Sequence, residues 1–236
     1  LRLLHSSMIR CATACFAFMR SPLPLYDSEE WDISCGTYPI LLNFVVKWDI
    51  SHTKERELMK LAFTGHRPES LPFGENENDP RCIRLREMLL TEITDRVKAG
   101  YDTFYTGCAR GMDIVFGTQV LLLKKTACPH IRLIGVVPHE GQANHWTETW
   151  RERYFDLLEQ ADDVVTLSAR YFSGCYHARN RYMVDAADAL LAVCRKGTSG
   201  GTQYTVKYAW QKNREIVVID PDTMERRLLP PRLTAL

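Results

Sequence analysis

Three glycine-bearing turns, each directly after a short apolar run, hold most of the residues in this chain that could do chemistry. The first is Thr64-Gly65-His66-Arg67-Pro68. Gly65 permits a sharp exit from a strand, and Arg67 can fork to a phosphate or carboxylate while His66 adds a second polar ring. Read without function, the segment is a turn with two surface polar groups. The second is Thr106-Gly107-Cys108-Ala109-Arg110-Gly111-Met112-Asp113. Its small residues let backbone approach a ligand, and the helix that starts here offers a positive N-terminal end. Asp113 either caps that helix or accepts a ribose hydroxyl. The third ends in Gly200-Gly201-Thr202, two glycines and a hydroxyl at a helix start. That combination suits a phosphate, although Thr202 is also a good N-cap. Upstream, Arg179 and Asn180 put a guanidinium and an amide at the start of a short helix, a pair that is most often solvated surface.

Other chemistries are absent from the pattern. Gly107 to Gly111 is not G-x-G-x-x-G, and no acidic residue caps a second strand at the expected distance, which argues against a conventional NAD-dependent dehydrogenase. His139, His145 and His177 lie in loops without metal-ligand spacing, so no metal site is expected. Trp146, after Gly141-Gln142-Ala143-Asn144, either stacks on a base or is a buried helix-start aromatic. No nucleophile elbow and no Cys–His arrangement of recognisable spacing occurs.

These turns need a scaffold that gathers them. The sequence predicts strands over 60–64, 102–106, 131–137, 163–167, 189–194 and 215–219. It predicts helices over 80–99, 111–125, 147–160, 179–187 and 201–213, with apolar residues such as Trp150, Tyr154, Leu157 and Leu158 at helical spacing. Gly100 and Asn213 stand near helix ends, where C-caps belong. Strands rich in Val, Ile and Leu without polar alternation suit a parallel sheet covered on both faces. The expected fold is α/β, a Rossmann-like doubly wound sheet, whose strand carboxyl ends share one edge. Residues 59–222 form the expected domain, with 1–58 an upstream extension and 223–236 a C-terminal tail. Within the extension, 40–46 reads as an isolated strand candidate without a convincing partner.

Composition bounds the rest. The chain has 236 residues, 45% apolar and 25% charged, enough for one α/β domain with a sizeable core. A formal net charge of +1 speaks against a dedicated nucleic-acid binder. Eight cysteines without a C-x-x-C pair read as reduced thiols of a cytoplasmic protein. No apolar stretch approaches the roughly 18–20 residues of a membrane span, and Cys11 to Met19, interrupted by Arg20, reads as non-targeting.

Four segments in register, Met59 through Pro68, Thr106 through Asp113, Arg179-Asn180 through Met183 and Asp188, and Gly200-Gly201-Thr202, make residues 59–220 resemble the SMF/DprA–LOG (SLOG) superfamily, most closely its YpsA-like branch. The resemblance implies a Rossmann-like domain that binds a nucleotide or nucleotide derivative such as AMP, ADP-ribose or an NAD derivative, with no required cofactor. A sensor of a nucleotide signal is one role it implies. The LOG phosphoribohydrolases, a sister family, cleave the N-glycosidic bond of nucleoside monophosphates with an Arg and a Glu after P-G-G-x-G-T. Arg179 matches that Arg, but the Glu falls on Thr205, which cannot supply a carboxylate. An enzyme here would need an acid near Gly201, for which Asp185 and Asp188 are the nearby candidates. DprA-like single-stranded DNA binding is the second alternative; it asks for a basic groove and stacking aromatics.

The expectation is therefore a nucleotide site. Gly65, Gly107, Gly111, Gly200, Gly201 and Thr202 would hold phosphates, His66, Arg67, Arg110, Arg179 and Asn180 would bind them, and Asp113 would take a hydroxyl. A homo-oligomer stays open.

Overall fold

The computed structural model describes residues 58–197 and 199–229. The extension and its strand candidate at 40–46 lie outside the described residues, Leu58 apart. Seven strands form one sheet in the order β4-β3-β2-β1-β5-β6-β7. They are β1 (Met59–Gly65), β2 (Tyr101–Thr106), β3 (Arg132–Val137), β4 (Asp163–Thr166), β5 (Ala189–Val193), β6 (Glu215–Ile219) and β7 (Arg226–Leu229). β1 to β6 are parallel, and β7 returns antiparallel on β6. This is the doubly wound α/β sheet that the alternation predicts.

Among the described residues five α-helices connect the strands: α1 (Pro80–Ala99), α2 (Met112–Thr126), α3 (Glu148–Gln160), α4 (Cys175–Ala186) and α5 (Gly201–Gln211). α1 starts on Asp79, whose carboxylate accepts the Arg81 N–H, and stops at Gly100 in the left-handed region at φ 103°. α1, α2 and α3 cover one face of the sheet; α4 and α5 cover the other.

Strand pleating decides which residues serve which face. Leu61 and Phe63 of β1 point to the first face, where Phe63 stacks on Phe116 of α2 at 4.4 Å between ring centroids. Ala62 and Ala192 point to the second, beside Met183 and Val184 of α4 and Val206 and Ala209 of α5. Small residues on that side let α4 and α5 come close to the strand ends.

Because chain order runs outward in both directions from β1 and β5, the topological switch point lies between those two strands. The turns after β1, β2 and β5 consequently open on one edge. Residues 226–229, which the sequence assigns to a tail, form the antiparallel edge strand β7. Among the described residues no helix is long and apolar enough to cross a membrane. Cys82, Cys108, Cys128 and Cys175 are free thiols.

Candidate functional site

The edge is built on a buried network that starts at Asp113. Its carboxylate accepts the Gly65 N–H at 3.0 Å, tying the first turn of α2 to the end of β1. Asp113 therefore does not cap its own helix, which has no side-chain cap. Arg179 lies 3.8 Å from the same carboxylate, both side chains being 6% exposed. Arg179 also donates to the Gly107 carbonyl and, at 2.7 Å, to Asn180 Oδ1. The Asn180 amide in turn donates to Thr205 Oγ1 at 2.7 Å, and Thr205 donates to the Gly201 carbonyl at 2.8 Å. A second tie runs from the Thr202 hydroxyl to the Gly65 carbonyl at 3.1 Å.

One continuous set of hydrogen bonds thus joins the turns after β1, β2 and β5. Burial pushes the Asp113 carboxyl above the usual carboxylate range, against the pull of Arg179 and of the Gly65 and Ala109 backbone. Arg179 is pulled down by the same burial and held up by Asp113. The guanidinium stays charged in proteins, and the Asp113 carboxylate 3.8 Å away is its buried ion-pair partner.

The glycines divide into two kinds. A Cβ on Gly107 would fall 1.8 Å from Arg179 Nη1 and 2.8 Å from Asp113 Oδ2. One on Gly65 would fall 2.4 Å from Met112 Cβ. Gly111, at φ +88°, would meet the His66 carbonyl at 2.8 Å. These three make room for the protein's own groups. Among the described residues, Gly200 has nothing within 4 Å of its Cβ position, and Gly201 has Asn180 Nδ2 at 3.9 Å. The backbone at Gly200-Gly201 therefore borders open space. Among the described residues, the first bond of the α5 ladder runs from the Tyr204 N–H to the Gly200 carbonyl, leaving the N–H groups of Gly201, Thr202 and Gln203 outside it.

The remaining candidates fall on both sides of this edge. His66 is buried at 7% exposure, and its Nε2 accepts the Arg195 N–H at 2.9 Å, so the neutral ring carries its proton on Nδ1. Burial and Arg195 hold His66 below the usual histidine range. Arg67 is exposed, with its guanidinium 5.7 Å from the Tyr176 ring centroid. Arg110 is paired with Glu69 at 2.5 Å. Arg179 and Asn180 sit in the second turn of α4, which begins at Cys175, and are buried; they are not surface groups at a helix start. Cys108, at φ +50° and fully buried, has a thiol pushed up to about 12 by burial, which makes it unreactive.

The acids proposed for hydrolysis are elsewhere. Asp188 accepts the Lys60 N–H at 2.8 Å, at the amino end of β5 and β1. Asp185, near the end of α4, pairs with Lys212 at 2.9 Å. Neither reaches Gly201, because both lie at the opposite end of the strands.

In the sequence the loop after β3, weighed for metal spacing at His139 and His145 and for base stacking at Trp146, offers no motif. It borders a cavity of about 670 Å³ lined by His139, Gln142 and Asn144 from that loop, Arg170 and Tyr171 from the loop after β4, and Tyr176 of α4. The Gln142 amide donates to the Cys108 carbonyl at 3.0 Å and approaches the Gly107 carbonyl at 3.5 Å. The cavity is therefore fastened to the same turn that holds Arg179. Trp146 packs edge-on against Tyr154 at 5.3 Å, a helix-start core aromatic. Among the described residues no cluster of His, Cys, Asp and Glu could hold a metal ion.

A family model described as the YspA SLOG family matches residues 61–224, which hold all of these turns. The chain belongs to that family. Two UPF0398 proteins are similar to this SLOG chain. One, from Halalkalibacterium halodurans, is 26% identical over 171 residues, 70% of this chain and 89% of its own length. The other, from Shouchella clausii, is 27% identical over 172 residues, 72% of this chain and 91% of its own length. Among solved structures, DNA processing protein A from Helicobacter pylori, described for its single-stranded DNA binding mode, aligns with a TM-score of 0.46 and 19% identity. That alignment covers 78% of this chain and 71% of the other. The YpsA-like SLOG resemblance of the sequence is thus a family membership.

Proposed function

We propose that this SLOG protein binds a nucleotide or nucleotide derivative, with a phosphate seated at the switch point between β1 and β5. The observation that carries the reading is the start of α5. Among the described residues the N–H groups of Gly201, Thr202 and Gln203 have no ladder partners, and the Cβ side of Gly200-Gly201 is open. The exposed guanidinium of Arg67, on the neighbouring turn, supplies a cation for the same anion. Arg179, Asn180, Asp113 and the Thr202 hydroxyl act behind this surface: they fix the turns that present the N–H groups. A sensing role fits a site built from backbone and one arginine, with AMP, ADP-ribose or an NAD derivative as ligand.

The N-glycosidase reading fares less well. Asp113 is occupied by Arg179 and the Gly65 N–H, and Thr205 fills the position of the hydrolase glutamate with its hydroxyl bonded to Gly201. Single-stranded DNA binding gains no support from a nearly neutral chain.

The test is Gly201→Asp. Among the described residues its Cβ meets no atom closer than Asn180 Nδ2 at 3.9 Å, and an acid at a helix start favours the helix, so the unliganded fold should keep its melting temperature. The added negative charge occupies the phosphate position. A nucleotide at about 100 times its dissociation constant stabilises the wild type by roughly 2.7 kcal/mol, a melting shift of about 5–10 °C for a domain of this size. The variant should show none. A variant that keeps the full shift refutes the phosphate position.

A further inference from the structure

Tyr176 stands between the phosphate position and the cavity after β3 and β4. The Arg67 guanidinium lies over its ring, and Tyr176 itself lines the cavity. Strand order sets the distance between the two places. The phosphate position lies between β1 and β5, and the cavity is lined by the loops that follow β3 and β4. From the middle of one strand pair to the middle of the other is three strand spacings, about 14 Å. A nucleoside monophosphate holds its single sugar directly on the phosphate, far short of that span. A second sugar joined through a diphosphate extends toward the cavity, past Arg67.

The accessible groups of the cavity suit a polyhydroxyl ligand. Glu140, Asn144, His145 and Arg170 line it and are exposed, so a carboxylate, an amide, an imidazole and a guanidinium are all open to a ligand. Sugar hydroxyls both donate and accept, and can use every one of these groups. A carboxylate accepting from ribose hydroxyls recurs in nucleotide-binding folds. A phosphate in the same place would meet Glu140 as a like charge. Tyr171, 65% exposed, adds an apolar plate for the C–H face of a sugar ring. Buried His139 packs edge-on against Tyr171 at 5.6 Å and Tyr176 at 6.0 Å between centroids, which holds both rings in place before a ligand arrives. The volume of about 670 Å³ is in the ordinary range for small-ligand pockets.

We propose that this cavity seats the sugar of a nucleoside diphosphate sugar, with sugar hydroxyls donating to the Glu140 carboxylate and the ring laid against Tyr171. The proposal rests on the nucleotide reading above and names the class of its ligand: the diphosphate lies between the start of α5 and Arg67, and the sugar beyond it enters the cavity. Glu140 and Tyr171 are then binding residues that tell a nucleotide sugar from the plain nucleoside diphosphate.

The experiment measures equilibrium binding to the full chain by calorimetry for two pairs, ADP with ADP-ribose and UDP with UDP-glucose. The wild type is compared with Glu140→Ala, Tyr171→Ala and Gly201→Asp. Glu140 and Tyr171 are exposed, so neither change should move the unliganded melting temperature by more than about 2 °C. The wild type should bind the sugar-bearing member of at least one pair about tenfold more tightly than its diphosphate. Glu140→Ala removes hydrogen bonds to a charged group and should weaken that ligand about tenfold while leaving the plain diphosphate within twofold. Tyr171→Ala should do the same.

A wild type that binds neither nucleotide sugar more tightly than its diphosphate overturns the sugar site. So does a sugar advantage that both variants keep, or an equal loss for the plain diphosphate, which would put the nucleoside in the cavity. In each of these cases loss of diphosphate binding in Gly201→Asp still upholds the phosphate position. A sugar advantage that survives Gly201→Asp but not Glu140→Ala refutes the phosphate position and keeps the sugar site. Absence of saturable binding by all four ligands overturns both.

Discussion

Gly107 and Gly201 look alike in sequence, each a glycine at the start of a turn on the same sheet edge, but replacing each with alanine should have opposite consequences. At Gly107 the new methyl carbon would lie 1.8 Å from Arg179 Nη1, 2.4 Å from its Cζ and 2.8 Å from Asp113 Oδ2. Arg179 cannot swing away, because its side chain is 6% exposed and is held by Asp113, the Gly107 carbonyl and Asn180. The ion pair must therefore break or the turn must shift. Disrupting a buried pair by displacing one partner costs about 3–5 kcal/mol. At about 2–4 °C per kcal/mol for a domain of this size, Gly107→Ala should melt about 6–20 °C below wild type.

At Gly201 the nearest atom is Asn180 Nδ2 at 3.9 Å, an ordinary contact, so Gly201→Ala should stay within about 0.5 kcal/mol, or roughly 2 °C. The assay is a thermal melt of the full chain followed by circular dichroism, without ligand. Combining Gly107→Ala with Arg179→Ala supplies a check on mechanism. Removing the guanidinium relieves the clash, so the double variant should lose less than the sum of the singles. A Gly107→Ala protein that melts within 2 °C of wild type, or strict additivity in the double variant, refutes Arg179 as the strut behind the turns.

Three further outcomes follow from the same geometry. Burial holds His66 below 6.5, so the unfolded chain binds its proton first. The stability tied to neutral His66 is complete above pH 6.5 and is lost as pH falls through the lowered value. Melts at pH 7.5 and 5.5 should therefore show a smaller acid loss for His66→Gln than for wild type, and equal losses would contradict that account. Asp220, whose carboxylate accepts the Lys196 and Asp222 N–H groups, is held below 3.8 by those backbone bonds against the cost of its burial. Its contribution is present above pH 3.8 and is lost as pH falls below it, so Asp220→Asn should flatten the acid limb of the stability curve. Brief iodoacetamide treatment at pH 8, read by mass spectrometry, should label half-buried Cys128 well before fully buried Cys108, whose thiol is pushed up to about 12; prompt labelling of Cys108 would mean that its turn opens.

Much of the fold was legible because its signals are local. Apolar runs ended by Gly65, Gly107 and the turn after Val193 mark strand ends, and the Val-, Ile- and Leu-rich runs of β3, β5 and β6 are buried on both faces. β7 escaped because Arg226-Arg227-Leu228-Leu229 is a short edge strand, half charged, with alternating exposure rather than a buried run. The early start of α4 escaped because Gly174 precedes it in the left-handed region with no side-chain cap to announce it. Both failures come from elements whose position is set by neighbours more than by their own residues.

The site divides along the same line. Sequence picked the turns, since glycine after a strand is visible, but the purpose of each glycine depends on what stands opposite. Gly107 is small to admit Arg179, a residue 72 positions away, whereas Gly201 is bare toward solvent. The same logic separates the charges: Arg179 and Asp113 meet in the interior, which turns two apparent ligand contacts into the frame of the site. Arg67 stays exposed on that edge. His139 and Gln142 carry no motif, and only the folded chain shows that both line one cavity. A chain of hydrogen bonds from Gln142 through the Gly107 carbonyl to Arg179, Asn180 and Gly201 then ties the cavity to the start of α5. Both surfaces are thus tied to one buried ion pair, so weakening that pair should loosen both together.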